Sequence, residues 1–140
     1  MHKRYKREFI TRRCAIQAIY KNVCRFDPDF LEKIKMNEEF LQYKDLDSEF
    51  FMEILNNIIE NWESFNRYIK NNKNTQDEEF LLNRCAVGIL LCAFSELSQK
   101  KLSCKIIINE YLEYAKMFCD TDVKILNKIL DNFKNEILDN

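Results

Sequence analysis

The chain has 140 residues, 46% of them apolar and 32% charged, with a single glycine and a single proline. An average chain of this length carries roughly ten glycines and about seven prolines, and hairpins, tight crossovers and phosphate loops draw on both, which argues against sheet-rich folds and Gly-rich nucleotide sites. The net charge of −1 hides an asymmetry: residues 1–25 hold eight basic side chains against Glu8 alone, or +7, and the rest of the chain holds 14 basic against 22 acidic, or −8.

That asymmetry points to a nucleic-acid or acidic-surface contact at the amino-terminal end. Six cysteines (Cys14, Cys24, Cys85, Cys92, Cys104 and Cys119) form no C-x-x-C pair, and the one histidine is His2. Zinc and iron–sulfur sites therefore lack their usual spacing, and no metal or other cofactor is expected. The longest apolar run, Cys85 to Phe94, is about half of what a bilayer requires. With no secretory leader recognised, the expectation is a cytoplasmic protein whose cysteines are mostly small buried hydrophobes.

In chain order, the first predicted helix runs from about Lys6 to Arg25, with residues 1–8 as a flexible basic arm. At 100° per residue, Phe9, Ile16, Ile19, Tyr20 and Val23 share an apolar arc, and Lys3, Lys6, Arg7, Arg13, Gln17, Lys21 and Arg25 fall opposite. Asp27-Pro28 supplies an N-cap with proline at the first helical position of a short helix bearing Phe30, Leu31 and Ile34. From Ser48 to about Ile69, Phe50, Phe51, Ile54, Leu55, Ile58, Ile59, Trp62 and Phe65 keep helical spacing for nearly six turns, predicting one long amphipathic helix. Thr75-x-x-Glu78 has the form of a capping box for the next helix. That helix, through Leu97, is apolar on almost every side and is expected at the centre of the molecule, with Gly88 permitting a close helix crossing. Two further helices, Lys105 to Phe118 and Val123 to Leu138, flank an N-cap signal at Asp120-Thr121-Asp122. With no repeat or composition break, residues 1–140 read as one compact all-α domain.

Catalytic signals are absent. No histidine is placed to act as a base, and no nucleophile elbow, phosphate loop or metal-loop spacing occurs, so the chain reads as a binding protein and not an enzyme. Acid pairs such as Glu78-Glu79 suit solvated first turns of helices, where they complement the dipole. Basic side chains on the outside of a terminal helix suit simple solubility equally well. Their density of one in three, interleaved with Tyr5 and Tyr20, favours a surface that holds phosphates and stacks unpaired bases.

Five segments carry a family resemblance. Arg12-Arg13-Cys14-Ala15-Ile16-Gln17-Ala18-Ile19-Tyr20 resembles the opening R-E-x-A-x-Q-A-L-Y of NusB transcription antitermination factors. Asp47-x-x-Phe50-Phe51-x-x-Ile54-Leu55 is similar to that family's D-x-x-Y-F-x-x-L-L, and Ala93-Phe94-Ser95-Glu96-Leu97 to its A-x-Y-E-L. Residues Lys105 to Phe118, containing Ile108-Asn109-Glu110, follow K-V-x-I-N-E-A-I-E-L-A-K-x-F, and Lys124 to Asp131 follow K-F-V-N-G-V-L-D. The five run in family order over nearly the whole chain.

The resemblance implies a NusB-like domain of two packed helical subdomains, about seven helices in all, that binds boxA RNA. It implies as partners NusE, a small ribosomal-subunit protein, and the elongating RNA polymerase complex with other Nus factors, to prevent premature termination, notably in rRNA operons; a homodimer is also within the family's range. The expected RNA-binding residues are Lys3, Arg4, Lys6, Arg7, Arg12, Arg13, Tyr20, Asp122 and Lys124, and the expected partner-binding residues are Glu78 and Glu79. Departures from the pattern are Arg13 for Glu, Ala86 and Leu91 for frequent Glu and Arg, Ser95 for Tyr, Ser103 for Pro, Cys119 and Lys128 for Gly, and Ile125 for Phe. The competing readings are a helical protein-binding adaptor or self-associating module without specific RNA recognition, and a methyltransferase-linked domain, for whose methyl-donor unit 140 residues leave no room.

Overall fold

The computed structural model describes residues 3–22, 45–72, 84–119 and 123–138. They form α1 (Lys3–Asn22), α2 (Ser48–Glu60), α3 (Trp62–Asn72), α4 (Arg84–Gln99), α5 (Cys104–Phe118) and α6 (Val123–Leu138), with no strand among the described residues. The all-α expectation holds. The helix expected after Asp27-Pro28, the Thr75 capping box and the Asp120-Thr121-Asp122 cap lie outside the described residues. Helix α1 begins at Lys3, within the stretch expected as a flexible arm.

Helix α4 is the centre of the packing. From Ala86 to Leu97 every residue but Val87 is buried, and α4 packs against each of the other five described helices. Helices α1, α2 and α3 pack in succession, as do α5 and α6, so two groups share α4 as a common core. Gly88 faces α1 closely: a β-carbon there would lie 3.4 Å from the Ile16 carbonyl oxygen and 3.7 Å from the Tyr20 amide nitrogen. A large side chain at this position would drive the helices apart. Farther along, Phe94 stacks on Phe133 of α6 with centroids 4.1 Å apart, and Phe65 and Tyr68 of α3 meet both rings edge-on. Edge-to-face and offset pairs add to the burial of large apolar area, and these four rings join three helices.

The long amphipathic helix predicted over Ser48–Ile69 is two helices, broken at Asn61. The Asn61 side-chain amide donates to the Asn57 backbone and side-chain oxygens at 2.9 Å, while its own carbonyl accepts from Phe65 at 2.8 Å. A short amide side chain competing for backbone groups is the ordinary reason such a turn departs from helix. Apolar spacing carries on across the break, which is why periodicity alone did not reveal it. At the front of α2, the Asp47 carboxylate accepts the Phe50 amide at 3.1 Å as an N-cap. Ser103 does the same for Ile106 at 3.2 Å, opening α5.

Between α4 and α5 the chain reverses in four residues, with Lys100 at φ 57°. The two helices form a hairpin in which the start of one meets the end of the other. Cys85 and Cys119 close that hairpin with a disulfide, their Cα atoms 5.9 Å apart. The expectation of buried free cysteines holds for Cys14 and Cys92, and Cys104 is free but half-buried. For Cys85 and Cys119 it is corrected, because the hairpin places two residues almost equidistant from its turn side by side; Cys24 lies outside the described residues. No helix among the described residues is long and apolar enough to cross a membrane.

Candidate nucleic-acid interface

Helix α1 owes its two faces to its sequence. Thr11, Arg12, Cys14, Ala15, Ile16, Ala18 and Ile19 are buried, whereas Arg7, Gln17, Tyr20 and Lys21 are exposed and Arg13 lies between. At 100° per residue the outward set spans roughly 140° of arc, with Arg13 and Tyr20 two turns apart on one line. Lys6 occupies the position two turns before Arg13 on the same line, and Lys3 and Arg4 belong to the first turn of the helix. Among the described side chains the outward surface thus carries Arg7, Arg13 and Lys21 with the Tyr20 ring among them.

Tyr20 is 45% exposed, not part of the apolar face to which its spacing assigned it. Its backbone is what packs, against Gly88, and the ring is left outside. Arg13 is half-buried: its Nε is enclosed and has no hydrogen-bond partner among the described residues. An enclosed donor without an acceptor costs free energy, so any phosphate contact by Arg13 falls to its terminal nitrogens.

Arg12 is elsewhere. It is 3% exposed, and its Nε and terminal nitrogen donate to the two Glu96 carboxylate oxygens at 2.7 and 2.9 Å. Tyr111 donates its hydroxyl to the same carboxylate, Glu110 lies 4.0 Å from the guanidinium, and the Phe50 and Tyr111 rings flank it at 5.4 and 5.9 Å. Burial alone would lower the guanidinium's proton affinity, but the Glu96 hydrogen bonds and charge outweigh it and raise it above its ordinary value. Burial, and then the Glu96 charge, push the Tyr111 phenol well up. Arg12 is therefore a buried anchor between α1 and α4, and the expectation that it lies on the RNA surface is corrected: its guanidinium is enclosed, bidentate on Glu96 and faced on its other side by Glu110. Glu96, the only charge between Cys85 and Leu97, was the available signal, since a charge on an otherwise apolar helix demands a buried partner.

An aromatic column connects α1 to the end of α5. Phe9 stacks on Tyr114 at 5.0 Å, Tyr114 on Phe118 at 6.4 Å, and the Tyr114 hydroxyl donates to the Phe9 carbonyl at 2.9 Å. Phe118 is 49% exposed. Phe9 precedes Arg13 by one turn, so this column ends beside the cationic side chains of α1. Lys124 is exposed in the first turn of α6. Asp122, Glu78 and Glu79 lie outside the described residues. No cluster of metal-binding side chains occurs among the described residues.

A family model described as the NusB family matches residues 10–135. The transcription antitermination protein NusB of Pectobacterium carotovorum subsp. carotovorum is 32% identical over 123 residues, covering 86% of each chain. That of Edwardsiella ictaluri is 30% identical over 132 residues and 92% of each chain. That of Photobacterium profundum is 28% identical over 137 residues, 86% of this chain and 88% of its own.

Proposed function

Because the chain belongs to the NusB family of transcription antitermination factors, we propose that its α1 surface binds boxA RNA and that, with NusE, it joins the elongating RNA polymerase complex and suppresses premature termination, notably in rRNA operons. The observation that carries this reading is the outward line of Arg13, Gln17 and Tyr20 on α1, continuous with exposed Arg7 and Lys21. Cations at helical spacing track a phosphate backbone, and a half-exposed ring offers a stacking face to an unpaired base. Lys3, Arg4 and Lys6, which precede this line in sequence, and Lys124 and Asp122 complete the RNA-binding set of this reading. The protein acts by binding, in the cytoplasm, without cofactor or turnover.

Binding of boxA RNA is measured across a salt series with and without NusE. The expected result is preference for boxA over a scrambled RNA, sharpened by NusE, with affinity falling linearly in log–log form as salt rises. Equal affinity for boxA and scrambled RNA in the presence of NusE sinks the reading and leaves a helical protein-binding adaptor in its place.

A further inference from the structure

The hairpin of α4 and α5 is closed at its open end by Cys85 and Cys119, at the surface and half-buried. Their Cα separation of 5.9 Å falls within the roughly 4.4 to 6.8 Å that a disulfide spans without moving the backbone. Cys119 is the C-cap of α5; its amide donates to Ala115 at 2.9 Å in the last hydrogen bond of the helix. The residue before it is Phe118, the exposed end of the aromatic column that leads through Tyr114 to Phe9 on α1. Cys14 and Cys92 are enclosed and Cys104 stands at the opposite, turn end of the hairpin, so this pair alone among the described cysteines is both matched and reachable.

We propose that Cys85 and Cys119 form a thiol–disulfide latch that sets how firmly the last turn of α5, and with it the aromatic column from Phe118 through Tyr114 to Phe9 of α1, is held. The compartment is the argument for a latch rather than a fixed staple. A transcription factor works in a reducing interior, where disulfides are usually transient and redox-sensing, and surface disulfides are the ones most readily reduced. This step rests on the function proposed above. Closing proceeds by exchange with a low-molecular-weight disulfide such as oxidised glutathione. One cysteine thiolate attacks it and releases one small thiol, then the second thiolate displaces the other; two S–H bonds are lost, one S–S bond forms, and the small disulfide is reduced to two thiols. Opening is the reverse.

The test equilibrates the full chain in reduced and oxidised glutathione buffers, blocks free thiols, and reads the Cys85–Cys119 link by peptide mass. Melting temperature and affinity for boxA RNA with NusE are measured on both forms. The expected results are a link that forms in the oxidised buffer and opens in a cytosol-like reduced one, a melting temperature about 10 °C higher when closed, and RNA bound at least about fivefold more tightly by the closed form. C85S and C119S should melt like the open form in both buffers, and C104S should respond like the parent. No link in the oxidised buffer, or a link that survives the reduced one, overturns the latch. Equal RNA affinity of open and closed forms overturns its coupling to binding. Failure of both forms to bind RNA defeats the functional reading instead, and the mass and melting results still decide the latch.

Discussion

The guanidinium of Arg12 and the carboxylate of Glu96 meet through two hydrogen bonds of 2.7 and 2.9 Å inside the molecule, joining the first helix to the central one across 84 positions of sequence. Breaking one side of such a pair leaves an uncompensated buried charge. R12A or E96Q should therefore cost about 3–5 kcal/mol of stability, whereas replacing both with apolar residues of similar volume, R12M with E96L, should recover much of that loss. Urea unfolding of the three variants provides the comparison. A double variant no better than the singles would show that the pair does more than neutralise itself.

Burial and the same carboxylate together set the alkaline behaviour. Tyr111 has its phenol raised well above the ordinary tyrosine value, first by burial and then by Glu96. The unfolded chain therefore gives up this proton more readily than the folded one. Stability from the neutral phenol is complete below about pH 10 and falls as pH climbs through the folded-state value. Tyr111→Phe should flatten that alkaline decline, at a cost of about 1–2 kcal/mol at neutral pH from the lost hydrogen bond. Chemical denaturation from pH 7 to 11 reads both effects.

Arg7, Arg13 and Arg12 should separate cleanly in RNA binding. R7A and R13A are each expected to reduce the salt slope by about 0.7 while melting like the parent. Tyr20→Ala should weaken binding by about 1–3 kcal/mol with the slope unchanged, as stacking carries no counterion release. R12A should instead lose binding together with its fold, and lowering the temperature or adding an osmolyte should recover the parental slope. An Arg12 variant that is fully folded yet has a shallower slope would put Arg12 back on the RNA surface.

Two backbone positions allow tests in the stabilising direction. At Gly88 a methyl group meets Ile16 at ordinary van der Waals distance, so Gly88→Ala should gain up to about 1 kcal/mol from helix propensity. Gly88→Leu should lose more than about 2 kcal/mol by overpacking against α1. Lys100 adopts φ 57° where the central helix ends, and Lys100→Gly should gain about 1 kcal/mol by relieving the left-handed conformation. Thermal melts of the three variants give the ranking.

Much of the architecture was legible from residue spacing. The apolar stretch from Cys85 to Phe94 identified the buried centre, and Gly88 was correctly placed at a crossing. What escaped was whatever depends on which particular groups a side chain meets. Asn61 breaks an apolar stripe that continues across it, because its side chain takes hydrogen bonds that periodicity does not register. Arg12 was grouped with its basic neighbours, although its angular position lies among the buried residues of α1 and its partner sits 84 residues away. Tyr20 shows the converse: spacing put the ring inside, while the close approach at Gly88 uses the backbone and turns the ring outward. The cysteine pair was recoverable only by folding the sequence about the Lys100–Ser103 turn and noticing what then lay opposite.

The central position of α4 has a kinetic consequence. Every other described helix rests on it, so a local opening that frees its amides must first detach at least one neighbour and expose part of its apolar surface. Amide hydrogens of Ile89 to Phe94 should therefore exchange only through global unfolding, with protection equal to the whole molecule's stability, while those of α3, which touches fewer partners, escape through smaller fluctuations. The molecule would then unfold as a unit around α4 and breathe only at its edges.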